Sequence, residues 1–282
     1  MLKHIITDTL LDGAKLLPFL FLAYLLIEFI ESRSEEKTVA LVRKAGKLGP
    51  VIGGALGVIP QCGFSAAMSN LYSTGIITRG TLIAVFLSTS DEMLPILVSR
   101  QADPVFINKA LLYKFVVGAL MGIIVDIVAS RFGKTKEKHI HDMCEREGCK
   151  CEDGILKSAI IHTVKIFAFI VIVTFVLNYF VHSIGEEKLA NFIMNKPVIG
   201  QVLAGLVGLV PNCASSVVLT ELYLQGALSA GAMMSGLLVS SGVGLIILFR
   251  MNRDLKDNLF TLAILYISGV FFGLLLDIIP IF

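Results

Sequence analysis

Proline, an amide and a cysteine follow one another twice in this chain, as Pro60-Gln61-Cys62 and as Pro211-Asn212-Cys213. Hydroxyls come soon after, at Ser65 in the first stretch and at Ser215 and Ser216 in the second. Sulfur is a soft ligand that suits Zn(II), Cu(I) or trivalent arsenic better than Mn(II), which prefers oxygen. The amides and hydroxyls offer both donors and acceptors, so they can orient an ion or a small polar solute. The competing reading is that each cysteine is a small apolar filler in a crowded turn. A third group, Leu87-Ser88-Thr89-Ser90-Asp91-Glu92, sets two adjacent carboxylates in an otherwise greasy run, and Val239-Ser240-Ser241-Gly242 is its uncharged counterpart. Carboxylates at bilayer depth are costly and usually face a cavity, a partner or an ion path. Asp91 and Glu92 are therefore candidates for substrate binding and for proton coupling, with Ser90 and Ser241 beside them. Glu221 is a further source of negative charge near the second stretch.

The setting for these residues is a membrane. Of 282 residues, 55% are hydrophobic and 16% charged, and the mean hydropathy is +0.82, too apolar for an ordinary soluble domain. Runs long enough to cross ~30 Å of hydrocarbon occur at Lys15 to Ile30, Gly80 to Val98, Ala110 to Ala129, Ile160 to Val181, Ala230 to Phe249 and Leu259 to Phe282. The first run carries no small-residue cleavage site and reads as a retained helix. A net charge of +2 gives no reason to expect nucleic acid as a partner. No phosphate-binding Gly-Lys-Ser/Thr loop or dinucleotide fingerprint is found, and no cofactor is expected beyond a metal ion as cargo.

A shift of 151 positions aligns Gly54 with Gly205, Pro60 with Pro211, Cys62 with Cys213, Ser65 with Ser216, Tyr72 with Tyr223, Gly75 with Gly226, Ser90 with Ser241 and Asp126 with Asp277. An ungapped match that keeps Pro, Cys, Tyr and Asp in register indicates an internal duplication. The basic residues of the loops change sides between the copies. Arg33, Lys37, Arg43, Lys44 and Lys47 follow the first span, against Lys188 and Lys196 in the second copy; Arg100 and Lys109 stand against Arg250, Arg253 and Lys256. Positive residues mark cytoplasmic loops, so the copies face opposite ways. The expected fold is an all-α polytopic membrane protein of two inverted-topology repeats, each with three spanning helices and a re-entrant helical hairpin. Repeat 1 covers 1–131, a cytoplasmic linker 132–157 and repeat 2 158–282, with both termini outside the plasma (inner) membrane.

The hairpins follow from that parity. Leu48 to Ile59 is too short to cross, Pro60 ends it, Gly63 allows a turn, and a short helix from Ser65 to Thr74 returns to the same side. Val198 to Val210 and Ser215 to Leu224 would do the same from the opposite face. The two tips would meet near the midplane, where irregular backbone is tolerated only inside protein or beside a wet cavity. Asp126 and Asp277 each follow a Gly-x3-Gly pair, a spacing that lets helices pack closely, and read as caps or partners for a neighbouring helix end. The linker holds His139, His141, Cys144, Cys149 and Cys151, a metal-binding composition without the spacing of a closed zinc module. A solvated tether with incidental ligands is the alternative there.

Taken together, the PQCGFS and PNCASS stretches, the SNLYSTG and TELYLQG returns, the STSDE break and the His/Cys linker resemble a bacterial and archaeal family of ten-helix heavy-metal exporters. Its members are named arsenic efflux proteins or manganese transporters, and the likeness covers nearly the whole chain. Counting each hairpin as two helices gives five segments per copy and ten in all. The resemblance implies export of a metal or metalloid ion. The residues expected to bind it are Gln61, Cys62, Ser65, Ser90, Asp91, Glu92, Asn212, Cys213, Ser216 and Ser241. A carrier of a small organic or oxyanionic solute using the same hairpin tips is the alternative. A channel would give single-channel currents instead of saturable flux. An intramembrane enzyme is not expected, because no nucleophile is paired with a basic group near Asp91 and Glu92. The expected surroundings are lipid, with a homo-oligomer compatible with the sequence.

Overall fold

The computed structural model describes residues 48–59, 62–90, 93–132, 198–211 and 213–279, with isolated helical positions between 17 and 25 and between 156 and 175. The spans expected at Lys15 to Ile30 and Ile160 to Val181 lie otherwise outside the described residues, as does the whole linker. All regular structure among the described residues is helical. The first copy contributes α1 (Gly49–Gly57), α2 (Cys62–Ser73), α3 (Arg79–Ser88), α4 (Met93–Ser99) and α5 (Pro104–Phe132). The second contributes α6 (Ile199–Gly208), α7 (Cys213–Leu224), α8 (Ala230–Val239), α9 (Gly244–Met251) and α10 (Leu255–Ile278). The bounds of α2 and α3 recur in α7 and α8 at the same 151-residue offset that aligns the sequences.

Four stretches among the described residues are long and apolar enough to cross a membrane: Arg79–Ser99, Pro104–Arg131, Ala230–Met251 and Leu255–Ile278. They divide into two kinds. The stretches that contain α3–α4 and α8–α9 are 75% and 89% buried, whereas those of α5 and α10 are 33% buried each. The broken helices therefore form the centre and the unbroken ones wrap them. Leu112, Val116, Leu120, Ile123 and Ile127 make an exposed stripe on α5, and Leu255, Leu259, Phe260, Ile267, Phe271 and Ile278 are exposed on α10. Exposed apolar side chains at helical spacing suit contact with acyl chains.

Each central helix starts with the same polar device. Thr78 caps α3 by accepting the Thr81 amide, and Asp126 accepts both the Gly80 amide at 2.8 Å and the Thr78 hydroxyl at 2.6 Å. In the second copy Ser229 caps α8 through the Ala232 amide, and Asp277 accepts the Gly231 amide at 2.8 Å and the Ser229 hydroxyl at 2.7 Å. Gln201 also donates to Asp277. A carboxylate at a helix N-terminus satisfies amides that lack an intrahelical partner and meets the positive end of the dipole. The two acids act as the sequence suggested, as caps for a neighbouring helix. Glycine is required at the meeting point: a Cβ on Gly80 would overlap the Gly122 carbonyl and the Asp126 carboxyl, and one on Gly231 would overlap their equivalents in Gly273 and Asp277.

The return helices begin earlier than expected, at Cys62 and Cys213 instead of Ser65 and Ser215. Gly63 lies within the first turn of α2 and not at a bend before it. A glycine inside a helix costs about 1 kcal/mol of backbone entropy relative to alanine, too little to keep α2 from starting at Cys62.

Replacing Asp126 or Asp277 with asparagine should lower stability by about 1–2 kcal/mol. The chain has no tryptophan, so the check is residual monodisperse protein by size exclusion after heating in detergent. Equal stability of both variants and the parent would remove the capping role.

Candidate functional site

Two interruptions lie in the buried centre. In the first, α3 ends at Ser88 and α4 begins at Met93; in the second, α8 ends at Val239 and α9 begins at Gly244. Ser88, Thr89, Ser90, Ser240 and Ser241 are all at most 4% exposed. Serines and threonines can bond back to their own helix, and in doing so they relieve the carbonyls freed where it stops. In the first break all three hydroxyls bond back: Ser88 donates to the Ala84 carbonyl at 2.7 Å, Thr89 to Val85 at 2.7 Å and Ser90 to Ser88 at 3.3 Å, which satisfies the hydroxyls, the Val85 carbonyl already accepting the Thr89 amide. Those of the second do not. Among the described residues neither the Ser240 nor the Ser241 hydroxyl has a hydrogen-bond partner, and Gly242 turns the chain with φ of 54°.

The short helices bring their tips to these breaks. Gly57, at the end of α1, lies against Ser88, and Gly208, at the end of α6, lies against the Gly236 backbone in the last turn of α8. Each incoming helix thus ends beside the break of its own copy. The return helix α2 crosses to the other copy. Ser69 donates both to the Ser65 carbonyl at 2.9 Å and to the Gly244 carbonyl at 2.8 Å. A Cβ on Gly244 would come within 3.0 Å of the Ser65 Cβ and 2.8 Å of the Phe86 ring, so only glycine admits α2 this closely. Conversely, α7 packs on α4. In α7 the equivalent of Ser69 is Thr220, which donates to the Ser216 carbonyl at 2.7 Å. Ser215 reaches back to the Val210 carbonyl at 3.3 Å, bridging the chain on either side of Pro211.

Of the residues expected to form a site, Ser65, Ser90, Ser216 and Ser241 are buried in this central layer. Ser65 meets the second break directly through Gly244. Cys62 and Cys213 are the first residues of α2 and α7, and only their backbone is described. Gln61, Asp91, Glu92 and Asn212, and the linker residues His139, His141, Cys144, Cys149 and Cys151, lie outside the described residues. Among the described residues no three His, Cys, Asp or Glu side chains gather as a metal site. Glu221 is corrected: eight positions beyond Cys213, about 12 Å along a helix, its carboxylate pairs with the exposed Arg100 at 3.0 Å. It serves an outer contact and adds no charge at the tips.

Two groups of residues escaped the sequence reading. Lys114, 1% exposed in α5, donates from its ammonium to the Leu237 carbonyl at 2.7 Å, in the last turn of α8. A single lysine inside an apolar span was the available signal. The other group joins the copies. Arg79 pairs with Asp257 and donates to the Tyr72 hydroxyl at 3.2 Å, while Tyr72 donates to Asp257 at 2.7 Å and Asn252 donates to it at 2.6 Å. At the equivalent place in the other half, Tyr223 stacks on Phe106 with ring centroids 5.2 Å apart. The positions that form a polar cluster at one end thus form an aromatic stack at the other, and nothing in the local pattern of either helix announces that pairing.

The Asp257 side chain is 9% exposed and Glu221 is 26% exposed, so the two inter-copy ion pairs should differ in weight. Asp257→Asn should cost about 2 kcal/mol or more, because it leaves a partly buried arginine unpaired. Glu221→Gln should cost under about 1 kcal/mol. Thermal stability in detergent at low and high salt ranks them, and the reverse order would show that burial does not govern these contacts.

Residues 2–184 match the family described as "Putative, 10TM heavy-metal exporter". The match takes in the first copy, the linker and the start of the second copy, more than half of the chain. No curated protein and no solved structure matches it.

Proposed function

We propose a mechanism from the premise that this chain belongs to the heavy-metal exporter family and is a multi-pass membrane protein of the transporter class. The cargo is a metal or metalloid ion, and its site lies near the bilayer midplane between the Pro-Gln-Cys and Pro-Asn-Cys tips. Cys62 and Cys213 supply soft sulfur, Gln61 and Asn212 amide dipoles, and Ser65, Ser90, Ser216 and Ser241 hydroxyls. Asp91 and Glu92 supply the negative charge and carry the coupling proton. One observation supports this reading above the others: α2, which opens at Cys62, lays Ser65 and Ser69 on Gly244 at the far side of the second break. The helix that opens at Cys62 thereby meets the polar break of the other copy within its first two turns.

In this reading the two copies are inverted and each α1–α2 or α6–α7 pair is a re-entrant hairpin. Both termini lie outside the plasma membrane, and the His/Cys linker lies in the cytoplasm, where thiols stay reduced and can hand metal to the transporter. The Arg79–Asp257 cluster then closes the cytoplasmic end, and the Arg100–Glu221 pair the external end. Transport would proceed by rocking one bundle against the other, each end opening as its inter-copy contacts part. No bond of the cargo is made or broken except to its ligands, and a thiol that binds metal as thiolate gives up its proton.

The test is flux in proteoliposomes, with Zn(II), Cu(I), Mn(II) and arsenite measured beside oxyanions. Cys62→Ser and Cys213→Ser should each reduce flux of the thiophilic ion at least about 10-fold. Unaltered metal flux in both would remove the thiolate site, and flux of oxyanions alone would transfer the role to the amides and helix ends.

A further inference from the structure

We propose that Ser240 and Ser241 bind the cargo through their hydroxyl protons, and that the species they take carries electron-rich oxygen, as a metalloid hydroxide or an oxyanion does and a bare metal cation does not. This rests on the reading that the cargo sits between the hairpin tips and the breaks.

The two serines stand where α8 unwinds before α9 begins. They are 4% and 1% exposed, and among the described residues neither hydroxyl has a hydrogen-bond partner. A buried hydroxyl left unpaired carries its full desolvation cost, so a fold keeps one where something else completes it. At the 151-residue offset Ser240 corresponds to Thr89 and Ser241 to Ser90. The Thr89 amide and hydroxyl both donate to the Val85 carbonyl, at 2.9 Å and 2.7 Å. The Ser240 amide donates to the equivalent Gly236 carbonyl at 2.9 Å, but its hydroxyl does not join it. Likewise Ser90 donates to the Ser88 carbonyl at 3.3 Å, and Ser241 makes no such bond. The backbone course is shared, and the unspent protons belong to the second break.

A hydroxyl has one proton to donate and two lone pairs that accept. The hydroxyls of both breaks keep lone pairs, so a bare cation would find ligands in either and would leave the Ser240 and Ser241 protons buried without an acceptor. A hydrated cation turns its own hydrogens outward and meets donors with donors. A hydroxide or oxo group on the cargo uses what the second break has to spare. The helix that follows suits the same oxygen: α9 opens at Gly244 with no side-chain cap, so the positive end of its dipole faces the break. The helix that opens at Cys62 comes to the same place, because Ser69 donates to the Gly244 carbonyl at 2.8 Å. A thiophilic centre that bears hydroxides can meet sulfur from the first copy and serine protons from the second.

The experiment measures initial flux into proteoliposomes of the full chain against concentration of arsenite at neutral pH, where it is an uncharged hydroxide, of arsenate as an oxyanion and of Zn(II) as a metal cation. Stability of the cargo-free protein is read by size exclusion after heating in detergent. Ser240→Ala and Ser241→Ala should each raise KM about 10-fold with little change in maximal rate, the weight of one hydrogen bond. A rise for arsenite identifies a neutral hydroxide as the species bound, and a rise for arsenate an oxyanion. Both variants should be at least as stable as the parent without cargo, since each loses an unpaired hydroxyl. Ser88→Ala, whose hydroxyl is spent on the Ala84 carbonyl, should keep the KM of the parent. The proposal is overturned if flux is confined to Zn(II), or if neither serine variant moves KM for arsenite or arsenate, the result expected of hydroxyls that meet water alone. Variants that are less stable than the parent, or that cannot be recovered folded, overturn it too, because their hydroxyls then bond within the fold. If Cys62→Ser and Cys213→Ser leave flux unaltered while the serine variants raise KM, the thiolate site fails and this one stands; the converse removes this one alone.

Discussion

A backbone carbonyl or amide without a partner costs several kcal/mol in hydrocarbon, and the two most buried spans among the described residues stop partway through. The rest of the fold answers that constraint. At the first break, Ser88, Thr89 and Ser90 return their hydroxyls to α3. At the second, Lys114 and Ser69 reach in from the first copy to Leu237 and Gly244. The lipid-facing helices α5 and α10 can seal the sides because Gly80 against Gly122, and Gly231 against Gly273, remove side chains where the backbones meet. Short helices that could not cross a bilayer end instead beside the breaks, at Gly57 and Gly208.

The two copies share geometry and differ in chemistry. Caps, glycines and helix bounds recur, yet charge does not. Lys114 stands opposite Leu265, and the Tyr72–Asp257 contact is matched by Tyr223 on Phe106. Carboxylates occur in the first break sequence alone. A duplicated scaffold supplies two equivalent ends, and unequal substitutions make those ends respond differently to ions and to burial. If transport proceeds as proposed, by opening one end at a time, such inequality gives the two end states different energies.

Much of this was legible in the sequence because duplication repeats a signal. The 151-residue register, the four central and peripheral spans, and the capping role of Asp126 and Asp277 all follow from patterns that occur twice. What was not legible belongs to single residues whose meaning is set by a distant partner. Lys114 sits in an apolar helix where nothing nearby shows that a freed carbonyl 123 positions away awaits it. Glu221 looked like a charge near the tip, and pairing with Arg100 redirects it to the outside. The start of α2 at Cys62 was misplaced because Gly63 suggested a bend, although a helix accepts one glycine at a cost of about 1 kcal/mol.

The central claim is that the return helix of the first copy seals the break of the second at the middle of the molecule. The direct measurement is oxidative cross-linking of an Ala66→Cys, Ile247→Cys double variant in native membranes, with the five native cysteines replaced by serine and the two halves separated by site-specific proteolysis of the linker. Ala66 of α2 and Ile247 of α9 belong to one buried cluster, and both positions carry a side chain already, so cysteine adds no new atom to the Gly244 contact. The account expects rapid, reductant-reversible joining of the two halves into one band. Two halves that separate after oxidation, at a rate no different from either single variant, would contradict it.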